Sequence, residues 1–297
     1  MHLILGHCDD TCCTGVKARL EARGLPTRLM ATPFEPPSRW AWRLGADGVS
    51  TRLAPDDGPS VDIDGVLVRS NGWVDPAGWE PADHAYMQSE VHAALLAWLA
   101  GLPCPVVNRA SAALWYRHRN PLLIWLPLLR RCGLPTPETV VTDDPVAASD
   151  FGDRLQAAGV PGAVCTWLTR EDAWLIAPAD WPALAALQAH TPVCLAEPHG
   201  RPRVACIVGR KVIWNGSPTR AEAALEPGLR RLAVEAGLDF LEVAAAPLRR
   251  GPGVVLVEPL PRLEHFDPST HAEILDALTG LLVPDHAFTP AVQEAHP

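Results

Sequence analysis

The sequence has 297 residues, of which 48% are hydrophobic and 20% are charged, a composition typical of a soluble globular protein with two or three subdomains. The net charge of -9 argues against a sequence-independent nucleic-acid binder, because affinity for the phosphate backbone depends on clustered Lys and Arg. No stretch approaches the roughly 20 apolar residues that cross a bilayer, and Met1–His7 lacks the features of a signal peptide. We therefore expect a cytoplasmic protein that binds neither nucleic acid nor a membrane.

The first part of the chain alternates strand and helix patterns, as open α/β domains do. Short apolar runs predict buried strands, and the denser pattern before Gly101-Leu102-Pro103 predicts a helix that packs on a sheet. The predicted elements are strands at His2–Leu5, 65–69 and 105–108 and helices at 16–22 and Tyr86–Leu99, with breaks at 33–37 and 54–59.

The remainder predicts an α+β arrangement. A helix over 122–132 contains Pro127, which would break an interior hydrogen bond unless the helix begins there or kinks. Further strands are predicted at 139–142, 162–168, 174–176, 203–208, 211–214, 239–246 and 253–258, helices at 145–158, 226–236 and 270–282, and a loose tail at 284–297.

Eight cysteines scattered through predicted strands and helices fit reduced thiols better than a disulfide framework. The turn His7–Cys13 combines imidazole, thiols and carboxylates, which would suit zinc or copper. It also follows the first strand, where open α/β sheets place ligands. A substrate contact through Cys8 and Asp9 is therefore the preferred interpretation, with a metal site as the alternative.

Two motifs carry a resemblance to a known family. Val107-Asn108-Arg109 is followed by the turn at 133–145, which begins Gly-Leu-Pro and ends Asp-Pro, and the strand pair Arg203–Val212 precedes Val254–Pro261 by about 45 residues. This order resembles ATP-grasp proteins, especially the branch that ligates side chains of ribosomally made peptides. The resemblance implies an ATP-grasp fold of mixed α/β and α+β class.

The resemblance also implies an activity. A nucleotide would be clamped between two α+β halves, and its γ-phosphate would pass to a substrate carboxylate, which an amine or hydroxyl then attacks. Arg203 would be the catalytic phosphate contact, with Lys211 on the same strand pair and Glu197 at the hinge beside the adenine. The implied cofactors are ATP and Mg2+.

The sequence departs from the family at several ligand positions. Lys occurs only as Lys17 and Lys211, and neither can stand at the two positions where the family carries a phosphate-binding Lys. The first of these neighbourhoods contains Arg117 and Arg119, and either could supply one charge with a different donor geometry. The second reads Val164-Cys165-Thr166 and contains no cation.

The metal ligands differ as well. Glu258 stands where the family places a magnesium carboxylate, but the expected Asp falls near Ala244 and the expected Asn at Leu260. Glu242 lies two residues before Ala244 on a predicted strand and would share its face, so it could restore a second ligand. Hard cations need several oxygen ligands.

The sequence leaves two functions open. One is an ATP-dependent carboxylate-amine or carboxylate-hydroxyl ligase for a peptide or small molecule, with Cys8, Asp9, Arg69 and His265 as candidate substrate contacts. The other is a catalytically degenerate relative that binds a precursor peptide or a partner enzyme. We expect an N-terminal domain at 1–110, a central helix and lid at 111–200, and a C-terminal domain at 201–283.

Overall fold

The computed structural model describes residues 1–34, 38–45, 48–54, 58–70, 72–109, 122–160, 162–166 and 173–283. Arg117, Arg119 and the tail at 284–297 lie outside the described residues. The chain divides into two compact units, Met1–Trp115 with His271–Pro297, and Tyr116–Thr270. None of the described helices combines the length and the apolar composition that spanning a bilayer requires.

The first unit is built on a parallel sheet. Its strands β1 (His2–Leu5), β2 (Thr27–Met30), β5 (Gly65–Val68) and β6 (Val106–Val107) follow the order β2-β1-β5-β6. β1 and β5 are buried at every position, as strands of parallel sheets covered on both faces are. This confirms the predicted open α/β start.

Among the described residues, three helices accompany this sheet: α1 (Thr11–Ala22), α2 (Pro81–Gly101) and α8 (Pro268–Leu282). α2 begins five residues before the predicted start because Pro81 fits the first turn of a helix. α1 and α8 approach closely at Gly15, where an added Cβ would lie 2.7 Å from Leu275. The last helix thus packs in the first unit, although it follows the second in sequence.

A hairpin of β3 (Arg39–Gly45) and β4 (Gly48–Ala54) completes the first unit. The sequence indicated only the breaks on either side of it. Trp40 and Trp42 pack against the core of this unit, and Trp98 of α2 donates a hydrogen bond to the Thr51 hydroxyl at 2.9 Å. Two tryptophans on one strand face therefore attach the hairpin to α2.

The second unit contains two antiparallel sheets. β7 (Thr139–Thr142), β8 (Ala163–Thr166), β9 (Ala173–Ile176) and β10 (Val193–Ala196) follow the order β7-β10-β8-β9. Helices α4 (Pro145–Ala157) and α5 (Trp181–Gln188) cover this sheet through a core that includes Phe151 and Leu184. It lies within the 111–200 segment that the sequence assigns to the lid, and we call it the lid sheet.

The other sheet follows the order β12-β11-β13-β14. Its strands are β11 (Arg203–Val208), β12 (Lys211–Trp214), β13 (Phe240–Leu248) and β14 (Gly251–Glu258), and its helices are α6 (Arg220–Ala223) and α7 (Glu226–Ala236). Helix α3 (Leu126–Arg131) precedes the lid and begins one residue before Pro127. Pro127 therefore starts a helix and does not kink one.

The buried imidazole of His2 predicts a pH dependence of stability. Burial lowers the pKa of His2 from its ordinary value of 6.5, so the unfolded chain takes up a proton that the folded chain resists. The free energy of unfolding should therefore fall as the pH drops below about 6.5. Urea unfolding at about pH 7.5 and about pH 5.5 measures this.

His2→Gln is the control, since an amide can still donate to the Leu282 carbonyl that lies 3.3 Å from the imidazole but does not titrate. The variant should lose less stability on acidification than the wild type. Burial also lowers the pKa of His92, so part of the dependence should remain. Equal losses in the two proteins would contradict the prediction.

Candidate active site

The second unit contains a cavity of about 400 Å3 between its two sheets. The lid contributes apolar and small side chains of β7, β8, β9 and β10, the other sheet contributes the end of β14, and the segment after β14 contributes polar groups. The lining residues are Leu122, Leu123, Pro137, Thr139, Val164, Thr166, Ala173, Cys194, Ala196, Glu197, His199, Val255, Leu256, Glu258, Arg262 and His265. Apolar walls with a few polar groups are typical of small-molecule sites.

Glu258 lines the cavity at the end of β14, and its role as a metal carboxylate stays a prediction. Its side chain is half-buried, and Oε1 accepts a hydrogen bond from the backbone N–H of Leu260 at 3.0 Å. Directly across the β13–β14 ladder lies Glu242. The two carboxylates therefore share one face of the sheet.

Glu242 is fully buried, and other groups already contact both of its oxygens. Oε2 accepts the backbone N–H of Arg262 at 3.0 Å, and Oε1 lies 2.7 Å from Nδ1 of His265. His265 is 42% exposed and lines the cavity, whereas Glu242 does not. The carboxylate thus fixes the turn at Leu263–His265 without itself lining the cavity.

The carboxylate oxygens that are available at the cavity decide how a magnesium ion would fit. Among the described residues, no group of three or more His, Cys, Asp or Glu is arranged to hold a metal. Glu258 offers one carboxylate at the cavity edge, which fits an ion held mainly by phosphate oxygens and water. Glu242 would have to release a backbone N–H or the imidazole to become a ligand.

Arg203, predicted as a phosphate contact, has its guanidinium occupied within the protein. Nη1 pairs with Glu222 at 2.9 Å, and Nη2 donates to the carbonyls of Asn215 at 3.1 Å and Ser217 at 2.9 Å. Arg203 does not line the cavity. In this structure it holds the loop before α6.

Glu197 lines the cavity at the end of β10, and its carboxylate joins three segments. Oε1 accepts the backbone N–H of Arg249 at 2.6 Å and Oε2 that of Glu138 at 3.3 Å, while its own N–H donates to the Glu138 carbonyl at 2.8 Å. The side chain is 5% exposed. It therefore ties the lid hinge to the β13–β14 turn.

The lysines do not contribute to the cavity. Lys17 pairs with Glu21 in α1 at 2.6 Å, and Lys211 is exposed at the start of β12. Val164 and Thr166 of the lid strand line the cavity where the family resemblance places a Lys. Any cation supplied by Arg117 or Arg119 lies outside the described residues.

The substrate residues predicted near the N-terminus lie in the first unit. Cys8 and Asp9 are exposed, and Arg69 forms an ion pair with Asp10 at 2.8 Å. Asp10 also caps α1 by accepting the N–H of Cys12 at 2.8 Å. Burial raises the pKa of the Cys13 thiol well above its usual range, which disfavours the thiolate needed for metal binding.

Sequence reasoning missed the roles of two cavity residues and one ion-pair partner. Arg262 and His199 line the cavity, and Asp10 is the partner of Arg69. Their positions in the sequence could have indicated them, because Arg262 follows Glu258 by four residues and His199 follows Glu197 by two. His265 was named as a candidate substrate contact, and the structure places it at the cavity edge.

The two antiparallel α+β halves that enclose this cavity define the ATP-grasp fold, as the sequence resemblance implied. No protein-family model matches the sequence, and no curated protein matches it. Solved structures of ATP-grasp proteins do match across nearly the whole chain.

The macrocyclase MdnC from Microcystis aeruginosa, bound with precursor peptide MdnA, has 17% identity and a TM-score of 0.74 over 96% of this chain and 99% of its own. A RiPP-associated ATP-grasp ligase from Chryseobacterium gregarium, in complex with ADP and a leader and core peptide, has 15% identity and a TM-score of 0.74 over 95% and 96%. An ATP-grasp RimK domain protein from Sphaerobacter thermophilus has 19% identity and a TM-score of 0.54 over 95% and 97%.

We predict that Glu197→Gln loses stability, because the carboxylate of Glu197 accepts two backbone N–H groups. A glutamine has one acceptor oxygen, so its amide NH2 would face one of the two backbone N–H groups. The free energy of unfolding should fall by about 1–3 kcal/mol in urea titrations. Glu138→Gln is the matched control, because Glu138 pairs with Arg154 and Arg249 at the surface and should change stability by less than about 1 kcal/mol.

Proposed function

We propose that this chain is an ATP-dependent ligase that joins a carboxyl group to an amine or hydroxyl group of a peptide or small natural product. The observation that carries this proposal is the cavity between the two sheets of the ATP-grasp fold, with Glu258, Arg262 and His265 at one edge. The apolar walls suit a purine, and the polar edge suits phosphates. Its volume of about 400 Å3 lies within the range of small-ligand pockets.

The proposed reaction has two transfers. A substrate carboxylate oxygen attacks the γ-phosphorus of ATP, the bond from that phosphorus to the bridging oxygen breaks, and ADP leaves. An amine or hydroxyl then attacks the acyl carbon, loses its proton to solvent, and displaces inorganic phosphate. Negative charge on the phosphate oxygens must be stabilised throughout.

The residues divide this work among them. Glu258 would hold Mg2+, which when bound neutralises charge on phosphate oxygens. Glu197 lines the hinge side, where its strand would contact the base. Arg117 or Arg119 remains the predicted replacement for a family Lys, and the catalytic role of Arg203 and the nucleotide contact of Lys211 stay predictions. The ion pair and two hydrogen bonds of Arg203 support a structural role for that residue.

A peptide is the proposed acceptor or donor of the new bond. Support comes from the similarity to MdnC and to the Chryseobacterium gregarium ligase, whose structures contain precursor or leader and core peptides. Cys8, Asp9 and Arg69 remain proposed substrate contacts in the first unit. The cytoplasmic location and the lack of nucleic-acid binding expected from the sequence stay predictions.

A second candidate is a degenerate ATP-grasp protein that binds a peptide or a partner enzyme without turnover. The observation that favours it concerns the residues expected to bind phosphate and Mg2+. Neither Lys lines the cavity, the guanidinium of Arg203 is occupied, and both oxygens of Glu242 accept hydrogen bonds or contact His265. A nucleotide-binding measurement separates this candidate from a working ligase.

Thermal unfolding with AMP-PNP tests whether the cavity holds nucleotide. A ligand present at 100 times its dissociation constant stabilises the native state by about 2.7 kcal/mol, so the melting temperature should rise by about 5 °C or more. The rise should be larger with Mg2+. Glu258→Gln should remove the Mg2+-dependent part, because an amide is a weaker ligand for a hard cation.

Glu235→Gln serves as the control, since Glu235 lies on α7 and does not line the cavity. It should shift with AMP-PNP and Mg2+ as the wild type does. If the melting temperature of the wild type does not rise at millimolar AMP-PNP, the ligase is excluded and the degenerate ATP-grasp candidate is favoured.

Turnover is tested with ATP, Mg2+ and synthetic peptides that contain Asp or Glu together with Lys, Ser or Thr. A ligase should form a product lighter by the mass of one water and release one ADP for each bond. Mass spectrometry and ADP detection measure both. Nucleotide binding without any such product across the panel would favour the degenerate candidate.

A further inference from the structure

The turn that follows β14 presents two nitrogen-bearing side chains to the cavity. Arg262 and His265 both line the cavity; Arg262 directly precedes the 3-10 helix Leu263–His265, and His265 is its last residue. Both residues are exposed. We call these two side chains the Arg262–His265 edge.

The Arg262–His265 edge is held in place by a buried carboxylate. Glu242 accepts the backbone N–H of Arg262 at 3.0 Å and lies 2.7 Å from Nδ1 of His265. A carboxylate that is 0% exposed requires such partners, since an unpaired buried charge is costly. Because Nδ1 faces Glu242, Nε2 is the ring nitrogen left for a ligand.

A second set of contacts fixes the same turn. The Asn215 amide donates to the His265 carbonyl at 3.3 Å, and its oxygen accepts the N–H of Asp267 at 2.8 Å. The backbone of the turn is thus anchored on two sides. Among the described residues, no hydrogen bond or ion pair occupies the Arg262 guanidinium or the Nε2 atom of His265.

From this geometry we infer that Glu242 is a positioning residue and not a metal ligand, and that Arg262 and His265 bind the phosphate groups of the nucleotide. A guanidinium and a doubly protonated imidazole are strong donors to phosphate oxygens, so the inference requires His265 to donate from Nε2 to phosphate as well as from Nδ1 to Glu242. The edge would supply cationic contacts that the two lysines do not provide in the cavity. This inference rests on the proposed function, because it assigns the phosphate end of the same cavity.

The test compares the affinities of adenosine, AMP, ADP and AMP-PNP by isothermal titration calorimetry, with Mg2+ and with EDTA. In Arg262→Gln and His265→Gln, adenosine affinity should stay unchanged, and the loss should grow with phosphate number to about tenfold for AMP-PNP. Arg210→Gln, an exposed cation outside the cavity, should show no graded loss.

Glu242→Gln tests the positioning role. Its amide oxygen can accept only one of the two donors, and a neutral amide no longer stabilises a doubly protonated imidazole, so AMP-PNP affinity should fall by about tenfold while adenosine affinity is kept, and the loss should persist in EDTA. Glu222→Gln is matched, because Glu222 also accepts one backbone N–H, from Thr219, and one cationic side chain, Arg203. It should show no phosphate-dependent loss.

The outcomes separate the inference from the proposed function. A loss in Glu242→Gln that disappears in EDTA would make Glu242 a metal ligand and overturn the inference. Equal losses for adenosine and AMP-PNP would show general disruption of the site, and a graded loss in Glu222→Gln would assign the phosphates to Arg203; either result overturns it. A wild type that binds none of the four ligands would overturn the proposed function itself.

Discussion

The register between β13 and β14 sets the chemistry of the cavity. Glu242 lies opposite Glu258, and Ala244 lies opposite Leu256, so the side chains of these four residues share one face. A slip of one residue would move the carboxylates to the other face, where Val243 and Val257 now lie in the core. The register shift between Ala244 and Ala245 leaves Val255 without a partner, and Val255 lines the cavity.

Two buried carboxylates act in a similar way on segments that line this cavity. Glu197 accepts two backbone N–H groups and joins the lid hinge to the β13–β14 turn, and Glu242 accepts one and contacts an imidazole. A carboxylate loses its hydrating water when it is buried, and here protein donors of fixed geometry take the place of that water. The cavity is thus bounded by segments that are fixed through side chains and not only through strand pairing.

Much of the fold could be predicted from sequence. The helix at 226–236 and the strands at 203–208 and 211–214 have the predicted bounds, since local apolar patterns and the turn at Gly209-Arg210 determine them. The β3–β4 hairpin could not be predicted, because its strands are mostly exposed and are attached mainly by Trp40 and Trp42. The site was harder to predict, since the partners of Arg203, Glu242 and Glu197 are 12 to 59 residues away in sequence. A sequence pattern cannot show which donors a carboxylate meets after folding.

A crystal structure of the chain with AMP-PNP and Mg2+ decides whether this cavity is the nucleotide site. The base should lie beside Glu197, which directly follows the lid strand β10, and the phosphates should lie within hydrogen-bond distance of Arg262 and His265, next to Glu258. A nucleotide bound elsewhere, or phosphates held by Arg203 and away from the edge after β14, would contradict that placement.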